Sequence, residues 1–236
     1  MSAVFRRELR SFFTNPIGYV VLAAMYCLSG YYFFQYNLSI NSADMTGVFE
    51  QLFIIVLIAL PFLTMRLFSE EKKQKTDQAL FTAPVSLTGI VLGKFLATLL
   101  LFLLGLSITL VFGVVLAIGK AIPDWTMIIG NYLGIALVGG FIIAVGVLIS
   151  ALTESQVVAA IGTLALSVIL LLMDRVNTIF ADSKWITTVT EFISIRDRYF
   201  DFTLGLIYYD NTFFFLSLQA LFLFLTVRVL DKRRWH

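Results

Sequence analysis

Long apolar stretches alternate with short polar breaks along this chain, and the stretches have the length of a bilayer crossing. Six of them approach or exceed the roughly 20 apolar residues that a helix needs to cross a hydrocarbon core of about 30 Å. They are Ile17–Phe34, Val48–Phe68, Gly89–Ile118, Met127–Leu152, Val157–Met173 and Thr212–Val227. Little chain is left for anything else. The pattern predicts one all-α polytopic membrane domain of six transmembrane helices over residues 1–236. Composition agrees: 59% of residues are apolar and only 14% charged, against about 25% charged in soluble domains.

The basic residues give the predicted orientation. With six spans both termini share a side. That side holds Arg6, Arg7, Arg10, Arg66, Lys72, Lys73, Lys75, Lys94, Arg228, Lys232, Arg233 and Arg234. The other holds Lys120, Arg175, Lys184, Arg196 and Arg198, a split of 12 against 5 among the 17. Cytoplasmic loops are enriched in Lys and Arg, so both termini are expected to be cytoplasmic. The small net charge of +2 gives no reason to expect nucleic acid; the partner these charges address is the lipid bilayer. The first span is read as retained: it is long for a signal peptide and no small-x-small site follows it. Tyr26 before Cys27 spoils a lipoprotein reading.

The densest charge lies between the second and third spans, where Glu70, Glu71, Lys72, Lys73, Lys75 and Asp77 crowd together. Ser69 is a good N-cap, and the two glutamates suit the positive end of a helix dipole. Glu71–Lys75 and Lys73–Asp77 are i,i+4 pairs. Thr76, Ala79, Leu80 and Ala83 then recur at the spacing of one buried stripe, with Phe81 beside it. Pro84 turns Ala83 away from helical geometry, and Ser86 or Thr88 can cap the next helix. These signals predict a short polar helix of about 13 residues, roughly 20 Å long. Two readings fit it: a solvated helix lying on the headgroups, or a docking helix for a soluble partner.

At the start of the chain Phe5, Leu9, Phe12 and Phe13 share one helical face while Arg6, Arg7 and Arg10 fall elsewhere. That is an amphipathic helix for the membrane interface, separated from the first span by Pro16. It serves either as a topology anchor or as a part that transmits motion. The stretch Asp174–Asn211 predicts two short helices on the opposite side of the membrane. One contains Trp185, Ile186, Val189, Phe192 and Ile193; the other contains Tyr199, Phe200, Phe202, Leu204, Leu206 and Ile207. They are too short to span, which fits re-entrant or interfacial positions. The charges Arg196–Asp201 read as a locally neutralised patch or as a contact for an auxiliary subunit. Gly130, Gly134, Gly139 and Gly140 mark close helix packing in lipid. In the fifth span Ala159, Ala160, Gly162 and Ser167 suit a subunit interface or a path.

Several chemistries find no residues to carry them. A phosphate-cradling loop needs G-x-x-x-x-G-K-[ST]. Gly89–Lys94 is one residue short, and Gly113–Ala121 is one too long and lacks the hydroxyl. The single His, His236, and the single Cys give no metal cluster and no internal disulfide. The midplanes of the spans carry no ionisable residue, which disfavours an ion-coupled carrier. Pro61 alone interrupts a span.

The polar passage resembles permease subunits of ABC transporters of the type-2 exporter class. Glu70, Glu71, Thr76, Leu80, Pro84, Val85, Ser86, Gly93 and Lys94 match, in register, a stretch those permeases carry after their second span. Lys75 stands where the family usually has Gly, and Ala79 stands for a Leu; losing the Gly predicts a continuous helix. The opening "FRRELRSFFTNPIGYV" is similar to the family's opening, and the closest resemblance is to the gliding-motility-type permease. The resemblance implies an elbow helix from Phe5, Arg6, Arg7, Leu9, Arg10, Phe12 and Phe13. It also implies a cytoplasmic coupling helix that meets the ATPase through Glu70, Glu71, Lys72, Thr76, Ala79, Leu80, Phe81 and Pro84. It further implies outer-mouth helices, where Trp185, Arg196, Arg198 and Phe200 would form a gate or a partner contact. The implied assembly has two permease halves, alike or similar, and two cytoplasmic ABC ATPase subunits. It can include an auxiliary membrane subunit with an extracytoplasmic domain. ATP and Mg would be held in the ATPase, with no cofactor and no catalysis in this chain, in a bacterial inner membrane. The function implied is export driven by a separate ATPase. A complex that passes mechanical work to an extracytoplasmic partner is the alternative.

Overall fold

The structure is a computed structural model that describes residues 1–76, 86–119, 122–179 and 194–234, and over these residues it is helical with no strand. Helix α1 (Ser2–Thr14) is followed by α2 (Pro16–Phe33), whose end loosens into a π-helical turn, Phe34–Leu38. Pro16 occupies the first turn of α2, where its missing N–H costs nothing. Asn37 closes the exit of the π turn by donating to the carbonyls of Ser42 and Asp44 at 2.9 and 3.0 Å.

Helix α3 (Thr46–Thr64) holds Pro61 in its last turn; a tight turn at 65–68 then leads into α4 (Ser69–Lys73). Ser86 caps α5 (Leu87–Leu106) by accepting from the Gly89 amide at 3.2 Å, as its position predicts. The third apolar stretch breaks at Ser107 before α6 (Ile108–Ile118). There the Ser107 and Thr109 hydroxyls donate back to the carbonyls of Leu104 and Leu106, a local alternative to the helix ladder.

Asp124 caps α7 (Trp125–Leu152), the longest helix of the described residues, through the amides of Thr126 and Met127. Next come α8 (Gln156–Ile179), the short α9 (Ile195–Thr203) and α10 (Tyr209–Arg234). Among the described residues five apolar segments are long enough to cross a membrane: Pro16–Leu38, Thr46–Lys73, Leu87–Ile118, Trp125–Leu152 and Tyr209–Lys232. The predicted fifth span falls on α8, of which Gln156–Leu170 is a shorter apolar helix. Of the two short outer helices, α9 is present; the stretch around Trp185 lies outside the described residues.

Helix α7 is the centre of the bundle. It packs against α3, α5, α8, α9 and α10, and its buried residues run almost its whole length. Its glycines set how near the neighbours come. A Cβ on Gly134 would stand 2.7 Å from the Phe202 Cβ, and one on Gly130 would stand 2.7 Å from the Phe202 carbonyl oxygen. The G-x-x-x-G spacing therefore seats α9 within the same chain. Gly139 likewise admits the Phe102 ring of α5, and Gly146 admits Thr64 of α3.

Replacing Gly134 with Leu should unseat α9 and cost about 1–3 kcal/mol, the usual penalty of overpacking. Gly30→Ala is the control, because a Cβ there meets nothing within 4 Å. Thermal unfolding of the detergent-solubilised protein should show a lower midpoint for Gly134→Leu only.

Candidate functional site

At one end of the bundle α1, the segment 65–76 and the start of α5 meet around a buried lysine. Helix α1 lies along α5 because Gly93 lets its backbone in: a Cβ on Gly93 would sit 3.1 Å from the Val4 side chain and 3.2 Å from the Phe5 amide. The next residue, Lys94, is 1% exposed. Its ammonium contacts Glu8 Oε1 at 3.1 Å, Glu71 Oε1 at 3.0 Å and the Leu67 carbonyl at 2.6 Å. It also lies 4.9 Å from the centre of the Phe68 ring. Arg7 completes the group, with Nη2 at 2.7 Å from both Glu8 Oε1 and Glu71 Oε1. Two acids face two bases, so the group carries no net charge and each buried charge has a partner.

Burial alone would raise the Glu8 carboxyl pKa. The nearby Lys94 and Arg7 outweigh it and hold the carboxyl below its ordinary value. Burial likewise works against the Arg7 guanidinium, but Glu8 and Glu71 raise it above its ordinary value. A cleft of about 260 Å³ opens beside the group, lined by Arg66, Glu70, Gln74 and Thr76 among others. Arg66 covers the Phe12 ring at 5.1 Å.

The segment is also fastened to the end of α7. Ser150 Oγ accepts from the Phe68 and Ser69 amides at 2.9 and 3.1 Å and donates to the Met65 carbonyl at 3.2 Å. The Lys72 ammonium donates to the Ala151 carbonyl, placing a positive charge where the α7 dipole ends.

These contacts correct three expectations. Ser69 does not cap a helix: the chain before it already turns, and the Ser69 hydroxyl donates back to the Met65 carbonyl. Glu71 does not pair with Lys75; its carboxylate is taken by Arg7 and Lys94. The helix begun at Ser69 is not continuous to Ala83 but ends at Lys73. Lys75 takes a left-handed conformation, φ +55°. The Lys75 amide donates to the Lys72 carbonyl and the Thr76 amide to the Glu71 carbonyl, the bonding of a Schellman stop. Gly205, φ +73°, ends α9 with the same pair of bonds. Lys75 thus adopts a backbone geometry that favours Gly. The residues before the turn are held by tertiary contacts of Ser69, Glu71 and Lys72, and the turn's own bonds override the helix preference of lysine.

Among the other predicted residues, Phe12 is buried, Phe5 and Leu9 are half-buried against the core, and Arg6, Arg10 and Phe13 are exposed. Glu70 is half-exposed, and Thr76 is exposed with its hydroxyl on the Glu71 carbonyl. Ala79, Leu80, Phe81, Pro84 and Trp185 lie outside the described residues. At the opposite end Arg196 and Phe200 are exposed. Arg198 is turned inward, donating to Asn211 at 3.1 Å and lying 4.0 Å over the Phe214 ring. Tyr199 donates to Asn131 at 2.9 Å. Nothing in the sequence pairs Glu8 with Lys94; the signals it carries are one acid on the basic opening helix and one lysine inside an apolar run.

A bundle of apolar helices with a neutral, buried ion network at one end defines a multi-pass helical membrane protein. The sequence profile described as ABC-2 family transporter protein matches residues 4–230. The chain belongs to that family, and it is an ABC permease subunit. Members are in general non-catalytic membrane subunits that work with a partner ATPase. No curated protein matches the chain.

Lys94→Met should leave Glu8 and Glu71 without their buried cation and cost about 3–5 kcal/mol, read as a lower unfolding midpoint. Because the Glu8 pKa is lowered by folding, its stabilisation is complete above the ordinary value of 4.5 and is lost as pH falls through the depressed value. The wild-type midpoint should therefore hold from neutral pH down to about 4.5 and fall between there and the depressed value, while Glu8→Gln shows a shallower drop. Lys75→Gly should raise the midpoint slightly, by about 1 kcal/mol, since the left-handed region is free of steric cost for Gly.

Proposed function

We propose that this chain is the membrane half of an ABC exporter and couples ATP hydrolysis in a separate subunit to movement of its own spans. In this reading α8 crosses the membrane as a sixth span and both termini are cytoplasmic. Helix α1 is the elbow, the segment 69–84 meets the ATPase, and two permease halves stand over two ATPase subunits. In motif the chain is read as a gliding-motility-type permease of a bacterial inner membrane, and an auxiliary subunit would meet the outer end.

The observation that carries the reading is the Arg7–Glu8–Glu71–Lys94 network. It joins α1 and α5 to the segment leading into residues 77–85, while Ser150 and Lys72 join that segment to α7. A push on the segment from the cytoplasm would reach three helices at once through short polar contacts.

Two measurements test it. In a Cys27→Ala background, a cysteine at Ser39 should react with an impermeant maleimide in intact cells and one at Gln74 should not; the reverse pattern would invert the topology. Leu80→Asp should insert normally yet lose the ATPase in a pull-down. A charge forced into an apolar contact costs several kcal/mol, and about 1.4 kcal/mol is tenfold in affinity, so the loss should exceed a hundredfold. Asp77→Ala should retain the ATPase. Full retention by Leu80→Asp would reduce the passage to a surface loop.

A further inference from the structure

At the end of the bundle remote from the ion network, α3 and α9 border a cleft of about 290 Å³ lined by Glu50, Phe53, Ile54, Arg196, Tyr199 and Phe200 among others. Its floor is fixed and spent: Tyr199 is stacked on Phe53 at 4.7 Å and its hydroxyl is taken by Asn131. Glu50 and Arg196 remain. Both are exposed, and neither has an ion pair or a side-chain hydrogen bond among the described residues. One cleft therefore offers a free carboxylate and a free guanidinium that do not neutralise each other.

The surroundings give its depth. Tyr36, Trp125, Tyr208 and Tyr209 are exposed at this end of the spans, and such residues gather at the headgroup level of a bilayer. Below Glu50, Ile54, Ile58 and Phe62 follow at helical spacing on one face of α3, each exposed by more than 40%. Ile58 and Phe62 continue into a wholly apolar groove of about 500 Å³ shared with Val20, Ala24 and Leu28 of α2. From Glu50 to Phe62 the stripe runs about 18 Å at 1.5 Å per residue, close to one leaflet of a core about 30 Å thick.

We propose that this surface is a binding site for a phospholipid whose headgroup carries a phosphate and a primary amine. The Arg196 guanidinium takes the phosphate, for which its fork of donors is suited. The Glu50 carboxylate accepts from the ammonium, and one acyl chain follows Ile54, Ile58 and Phe62 into the groove. The opposite charges argue for a zwitterion over a purely anionic lipid. The acceptor-only carboxylate argues for an amine that donates over a quaternary one that cannot.

The test is native mass spectrometry of the full-length chain in mild detergent, offered phosphatidylethanolamine, phosphatidylcholine and phosphatidylglycerol with identical acyl chains. Phosphatidylethanolamine should be retained about tenfold over phosphatidylcholine, which is about 1.4 kcal/mol and the scale of one charge-assisted hydrogen bond. Glu50→Gln should erase that preference and raise retention of phosphatidylglycerol; Arg196→Gln should weaken all three lipids. Equal retention of the two zwitterions by the wild type overturns the proposal without any variant. So does a preference that Glu50→Gln leaves intact. A second copy of the chain is the rival occupant of the α3 face. Efficient oxidative cross-linking of Ile58→Cys, in a Cys27→Ala background in native membranes, would assign the stripe to that copy and sink the lipid site.

Discussion

Helices in lipid gain nothing from escaping water when they meet, so the bundle depends on how closely its neighbours can approach α7. That approach is decided by hydrogen atoms standing where side chains would be. Gly130 and Gly134 admit α9, Gly139 admits the Phe102 ring and Gly146 admits Thr64. Dispersion contacts are individually tiny and fall away within an ångström of extra separation. A central helix of large residues would hold the same neighbours farther off and more weakly. Because α9 is seated on α7, the cleft between α3 and α9 has a fixed floor. Because Ser150 and Ala151 end α7 beside Ser69 and Lys72, the polar segment at the other end has a fixed root.

The ion network solves a different problem. Charges beside a bilayer are costly unless matched, yet a segment that leaves the end of an apolar bundle must be polar enough to stay out of the membrane. Pairing Glu8 and Glu71 with Arg7 and Lys94 allows a polar joint to sit at the end of an apolar bundle. The joint is neutral, so it can move as a body without exposing a bare charge. Its members come from α1, from the segment between α3 and α5, and from α5 itself, which makes it a point of convergence.

Five of the six expected spans could be read directly because lipid as a solvent leaves so few alternatives for a long apolar run. The caps of α5 at Ser86 and the stop of α1 before Pro16 were equally local, and both stand where expected. What could not be read depends on contacts between distant parts. Ser69 has the chemistry of an N-cap, but the turn at 65–68 and the α7 terminus decide its partners. Lys75 favours helix in isolation, yet it closes the turn that follows a segment anchored on α1, α5 and α7. Glu71 had a suitable lysine four residues on; it is claimed instead by Arg7 and Lys94, the former 64 residues away. Lys94 stands in a near-match to a phosphate loop, and only the packing of α1 against α5 gives it its partner Glu8.

Gly93 and Lys94 make sense only as a pair. The glycine brings α1 within reach of α5, and the lysine answers the carboxylates that arrive with it. Losing the glycine alone would strand the lysine's charge inside an apolar run; losing the lysine alone would press two carboxylates into a space cleared for them. Descent with gradual change should therefore find these neighbours hard to alter singly. Across relatives they, together with Glu8, should be kept or exchanged as one heritable unit, even where the surrounding leucines drift freely.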